Sequence, residues 1–246
     1  MPRKTLQVLI TICGLMIVSD IIVVAAEETS AEVEVKKKSW FDLFKSTGIV
    51  GIMLLGCSMI GTALLIQYIM TINENKLDNP QLLAEVENLL NEGNYEDAFS
   101  MADADTTYAG RVMAGAIARS AGGYEEARKG LEETSIVESF RLNAKISYLS
   151  LIGNIGPLLG LLGTVTGMIS SFQIIETMKA PTPGDLAKGV YESLVNTTIG
   201  LFIAIVFLSA YFFMKNKLAD ITLKINNEIS EVLSRTVGAA AEGASQ

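Results

Sequence analysis

The sequence predicts an all-α fold, a polytopic membrane protein with three transmembrane helices extended into a cytoplasmic helical domain. Three observations carry that reading. Half of the 246 residues are hydrophobic, and the mean hydropathy is +0.38. Three long stretches, 48–72, 146–175 and 193–214, contain no Asp, Glu, Lys or Arg, and each reaches the roughly 20 apolar residues that a bilayer span requires. Between the first two lies a polar segment, 73–145, with apolar residues at helical spacing.

At the N-terminus, Arg3 and Lys4 precede an apolar run from Leu6 to Val18, and Val24-Ala25-Ala26 precedes an acidic turn at Glu27. Residues 1–26 therefore read as a secretory signal cleaved after Ala26, with an uncleaved fourth span as the alternative because Asp20 interrupts the run. Cys13 is no lipoprotein site, since Ile12 before it is too large. Residues 27–47 form a periplasmic segment in which Trp40, Phe41, Leu43 and Phe44 mix with Lys38, Asp42 and Lys45, as in a short interfacial helix. The first span is 48–72.

In the polar segment, Leu82, Leu83, Val86, Leu89 and Leu90 follow Pro80 at helical spacing, and similar turns start at Gly93-Asn94-Tyr95 and Gly122-Gly123-Tyr124. The second apolar run, 146–175, would be about 45 Å long as a helix against a hydrocarbon core of about 30 Å, so it must project beyond the bilayer. Residues 176–192, with Pro181, Pro183 and Gly184, read as a periplasmic loop before the third span, 193–214. In 215–246, a C-terminal helix and tail, Leu218, Ile221, Ile225, Ile229 and Val232 make one apolar face to pack on the polar domain. Positive charges flank the first span almost evenly, and a cleaved signal places the polar domain and C-terminus in the cytoplasm, with the N-terminus outside.

Composition removes several function classes. The chain has no histidine, so Ser-His-Asp and Cys-His catalysis have no base, and the commonest metal and proton-relay ligand is missing. No P-loop pattern occurs, and a net charge of −8 without a basic stripe argues against nucleic acid. No enzyme activity, cofactor or metal site is expected.

The stretch LIGNIGPLLGLLGTVTGM, 151–168, holds five glycines and a proline, although glycine costs about 1 kcal/mol and proline about 3 kcal/mol inside a helix. Gly153, Gly156, Gly160, Gly163 and Gly167 are three and four residues apart, so they share one face on which another helix can approach closely. Pro157 is tolerated where neighbouring helices satisfy the freed carbonyl. Ser193, Asn196/Thr197, Gly200 and Ala204 make a matching stripe on the third span. Thr164, Thr166, Ser170 and Ser171 on one span and Asn196, Thr197 and Thr198 on the other suggest a polar lining, although a threonine in a membrane helix commonly bonds its own backbone. Glu192 is the carboxylate nearest the stripe.

LIGNIGPLLGLLGTVTGMISSF followed by GVYESLVNTTIGLFIAI resembles the MotA/TolQ/ExbB proton-channel family, nearest its ExbB and TolQ branch. The resemblance is strong over residues 142–214, and the three-span plan extends it over most of the chain. The leading signal-like segment departs from the pattern, as does Asn196, where a small residue is usual. The resemblance implies the large subunit of an inner-membrane proton-channel motor in biopolymer transport: a homo-oligomer, typically a pentamer, around the single-span helices of an ExbD/TolR-like partner whose Asp carries the protons, with a TonB/TolA-like transducer beyond. By motif, Thr164 and Thr197 would face that partner, and Glu192 matches an acidic residue at the start of the last span. The glycines would serve oligomeric packing. The apolar spans hold no Asp, Glu, Lys or Arg of their own, so a partner must supply the charge. A self-sufficient channel or transporter and a structural membrane scaffold are the rival readings.

Overall fold

The structure, a computed structural model, describes residues 48–177 and 182–238. The expected signal and interfacial helix lie outside the described residues. Those described form helices and short turns, with no strand among them. In chain order they are α1 (Gly48–Thr71), α2 (Glu74–Leu77), α3 (Pro80–Asn91), α4 (Tyr95–Ala104), α5 (Tyr108–Ile117), α6 (Tyr124–Thr177) and α7 (Pro183–Leu233). A 3₁₀ turn at Ser120–Gly122 precedes α6, and a π turn at Ser234–Gly238 ends α7. Three helices are long and apolar enough to cross a membrane: α1, α6 and α7.

The small helices are set by local chemistry. Pro80 opens α3, and the Asn79 side chain caps it by accepting from the Leu82 N–H. Asn94 and Thr107 cap α4 and α5 in the same way. Gly93 and Gly123 take positive φ, 78° and 85°, at the turns read from the sequence. Asp105 ties two of these caps together. It accepts from the Asn79 side chain at 2.7 Å and from the Thr107 N–H at 2.7 Å.

Burial alone would raise the Asp105 pKa. Hydrogen bonds from the Thr107 backbone and from the Asn79 and Thr107 side chains outweigh it and hold the carboxyl below its ordinary 3.8. A carboxylate with a lowered folded pKa adds stability that is complete above the unfolded value and lost as pH falls through the folded one. Asp105→Asn would set an amide against the Asn79 amide. We expect its melting temperature to lie about 3–5 °C below the parent at pH 7, with the gap closing as pH falls below the ordinary carboxyl value and through the lowered folded one; thermal unfolding across pH checks this.

A packed core forms where α3, α4 and α5 meet the parts of α6 and α7 outside their apolar runs. Leu82, Leu83, Val86 and Leu90 bury one face of α3, with Leu89 half-buried beside them. Ala98 and Ala102 of α4, Val112 and Met113 of α5, and Ala127 and Leu131 of α6 fill the centre. Leu218, Ile221, Ile225, Ile229 and Val232 of α7 all pack into it, and each full burial is worth about 1.5–3 kcal/mol. Close glycine contact recurs at Gly115 and Gly130, where α5 crosses α6 against Thr134 and the Gly115 carbonyl.

Helix α6 runs unbroken for 54 residues, from the core of the polar segment through the whole apolar run, in line with the expected projection beyond the bilayer. One difference from the sequence reading concerns length: residues 183–192, expected in a loop, are the first turns of α7. Pro183 has the backbone angle of a first helical turn, and the small residues that follow find a packing partner on α6.

Candidate functional site

Helices α6 and α7 run antiparallel, and the glycine face of α6 is filled by α7 of the same chain. A methyl group at Gly153 would meet the Leu208 side chain at 2.7 Å, and one at Gly156 the Gly200 carbonyl at 2.9 Å. At Gly160 it would meet the Thr197 Cα at 2.9 Å and the Asn196 carbonyl at 3.0 Å; at Gly163, the Asn196 Cβ at 2.7 Å. Further along, the Ser193 hydroxyl sits over Gly167 and the Ser171 hydroxyl over Gly189. Each serine also donates to the glycine carbonyl one turn earlier in its own helix, Ser171 to Gly167 at 2.9 Å and Ser193 to Gly189 at 2.7 Å. This reciprocal interlock escaped the sequence reading, because Gly189 fell in the presumed loop. The glycines thus close a seam within the chain, which corrects their expected place between subunits. Helix α1 joins the outside of the seam, with Gly61 against the Phe207 ring. Pro157, without an N–H, sits inside α6 and leaves the Gly153 carbonyl without its in-helix donor.

The polar residues divide into two kinds. Thr164 donates to the Leu161 carbonyl at 2.7 Å, Thr166 to the Leu162 carbonyl at 2.9 Å and Thr198 to the Leu194 carbonyl at 3.0 Å, each within its own helix. Thr197 crosses the seam and donates to the Gly160 carbonyl at 3.0 Å. In the α-helical pattern the Thr164 N–H donates to that same oxygen. The backbone of one threonine and the hydroxyl of the other therefore converge on Gly160, one turn apart. Asn196 is 5% exposed, and its Oδ1 has no hydrogen-bond partner among the described residues. Glu192 lies on α7 one residue before buried Ser193, and its side chain is outside the described residues.

Chemically, the seam offers hydroxyls that both donate and accept, close-packed backbone and no Asp, Glu, Lys or Arg between 146 and 175 or between 193 and 214. Among the described residues there is no acidic or thiol cluster that could hold a metal ion. These features define a class: an all-helical, multi-span membrane protein whose apolar helix pair carries hydroxyls and no carboxylate of its own.

Residues 104–227 match the MotA/TolQ/ExbB proton channel family, and the chain belongs to that family. It is 25% identical over 182 residues to a biopolymer transport protein ExbB homolog of Methanothermobacter thermautotrophicus, covering 73% of this chain and 64% of the relative. It is 39% identical over 74 residues to the Tol-Pal system protein TolQ of Pseudomonas aeruginosa, covering 30% and 32% of the two chains. The chain thus spans about a third to two thirds of the lengths of these relatives. A chain of the C. jejuni MotAB structure shares the fold with a TM-score of 0.60 at 17% identity, covering 94% of this chain and 89% of that one.

Proposed function

We propose that the chain is the large subunit of a proton-driven motor in the bacterial inner membrane, a homo-oligomer around the single-span helices of an ExbD/TolR-like partner. The observation that carries the proposal is the convergence of Thr164 and Thr197 on the Gly160 carbonyl, in spans without a carboxylate of their own. When the partner carboxyl is protonated, Thr197 keeps its proton on Gly160 and accepts from the acid. When the carboxyl is ionised, the Thr197 hydroxyl turns its proton toward the carboxylate. Gly160 is not left bare, because the Thr164 N–H still serves it. Thr164 can make the same exchange by releasing the Leu161 carbonyl. Glu192, at the margin of the span, would meet protons entering or leaving. Movement of the partner helices would couple proton flow to envelope transport or maintenance, through a TonB/TolA-like transducer.

The test is composition and flux. Full-length chain purified from its own membranes should carry a small single-span protein with an Asp in its span. Liposomes should then show proton uptake with both proteins and none with this chain alone. Conduction by the chain alone would overturn the proposal in favour of a self-sufficient channel.

The proposed orientation places residues 100 and 230 in the cytoplasm. With Cys13 and Cys57 replaced, single cysteines at Ser100 and Ser230 should resist an impermeant thiol reagent in intact cells and react fully after lysis. Labelling of either from outside would invert the topology.

A further inference from the structure

The cationic side chains described fall into two groups. Every described arginine, together with Lys129 and Lys224, bonds a glutamate. Lys76, Lys145, Lys215 and Lys217 form no ion pair among the described residues. The division follows position. Lys145 stands immediately before the apolar run 146–175, and Lys215 and Lys217 follow the run 193–214, whereas the paired cations lie farther out along the helices.

Lys145, Lys215 and Lys217 share a level. Gly153 of α6 faces Leu208 of α7, and the helices are antiparallel. Eight residues further out on each, Lys145 is therefore level with Asn216, between the other two lysines. Tyr148 and Tyr211 lie about one turn nearer the membrane, and such aromatic and basic residues at the end of an apolar run mark headgroup depth. Lys215 shows which way its side chain turns. Its Nζ lies 5.9 Å from the centroid of the Tyr211 ring, within cation–π reach. Tyr211 belongs to the apolar run, so the ammonium is carried back toward the membrane and not out into water. The Cα–Cβ bonds of α7 tilt the same way, toward its N-terminus.

The chain's own carboxylates do not neutralise these lysines. On α6 the first acid beyond Lys145 is Glu138, about 10 Å away along the helix and already bonded to Arg111 and Arg141. On α7 it is Asp220, one turn farther from the membrane than Lys217. Glu74, at the foot of α1, is held by Lys224. Unmatched cations at headgroup depth complement the charge of an anionic lipid leaflet.

We propose that Lys145, Lys215 and Lys217 bind the headgroups of anionic phospholipids in the leaflet beside the polar segment. A free phosphate ion would meet the same ammonium groups but would lack the acyl chains that hold a headgroup at this depth. The inference goes beyond the proposed motor and does not depend on it.

The test uses the full-length chain in neutral detergent, with phosphatidylglycerol or phosphatidylcholine of the same acyl chains added at equal concentration. Native mass spectrometry counts the lipids retained, and thermal unfolding is followed in parallel. The parent should retain phosphatidylglycerol in preference, and the preference should weaken as salt is raised. Lys215→Gln should lower it about fivefold, the effect of one lysine near a charged surface. Lys145→Gln/Lys215→Gln/Lys217→Gln should abolish it while unfolding at the parent's temperature without lipid. Lys129→Gln, which removes a cation paired to Glu126, should leave it unchanged. Equal retention of the two lipids by the parent would overturn the proposal, as would an undiminished preference in the single and triple variants. Stabilisation by inorganic phosphate equal to that by phosphatidylglycerol would replace the lipid with a free anion.

Discussion

The Thr164→Val/Thr197→Val double variant should assemble with its partner and lose proton-driven activity by about two orders of magnitude or more. Valine keeps the shape of threonine and removes the hydroxyl. A hydrogen bond to a charged group is worth about 1.5–3 kcal/mol, and each 1.4 kcal/mol lost selectively from the rate-limiting state is about tenfold in rate. The structural cost is smaller. Thr197→Val gives up the bond to Gly160, about 1 kcal/mol, and the carbonyl keeps its in-helix donor. Thr164 bonds only its own helix through its side chain. Thr166→Val is the control, because Thr166 points roughly 200° around the helix from Thr164 and also bonds its own backbone. Proton-coupled activity of the intact complex, with native mass spectrometry in parallel, separates the cases. Full activity in the double variant would remove these hydroxyls from the proton path.

Gly160→Leu should abolish the folded chain. A Cβ there falls 2.9 Å from the Thr197 Cα and 3.0 Å from the Asn196 carbonyl. These are backbone atoms of a long helix and cannot swing aside. Gly153→Ala meets mainly the Leu208 side chain, with its backbone nitrogen at 3.2 Å, so it should cost about 1–3 kcal/mol as overpacking. Resistance of the detergent-solubilised chain to limited proteolysis, read against temperature, ranks the two. Equal stability for Gly160→Leu and the parent would mean that α6 and α7 do not meet at this seam.

What was legible in the sequence was whatever is periodic. The glycines from 153 to 167 and the apolar face from Leu218 to Val232 each mark one side of a helix, and both sides are buried in the structure, apart from half-buried Gly167. Periodicity identifies a face and not its occupant, so the partner of the glycines was placed on another subunit when it is α7 of the same chain. Pro181, Pro183 and Gly184 hid the start of α7, because residues that break a helix in its interior also open one. The tie from Asn79 to Asp105 and the meeting of Gly115 with Gly130 join residues far apart in sequence, with no repeat to announce them. At the site, the threonines were visible as a cluster. That Thr197 alone crosses to a carbonyl of the other helix depends on the register of α6 against α7, which no local pattern encodes.

The length of α6 has a mechanical consequence. Its 54 residues make a rod of about 80 Å, and α7 is bound alongside for much of that length. Such a pair has no joint where membrane ends and water begins. A tilt of about 5° at the glycine seam swings an end 40 Å away by roughly 3–4 Å, taking the helix rise as the lever length. Displacement among the spans, as the proposed motor requires, would be delivered to α3, α4 and α5 as leverage, without an intervening spring to absorb it.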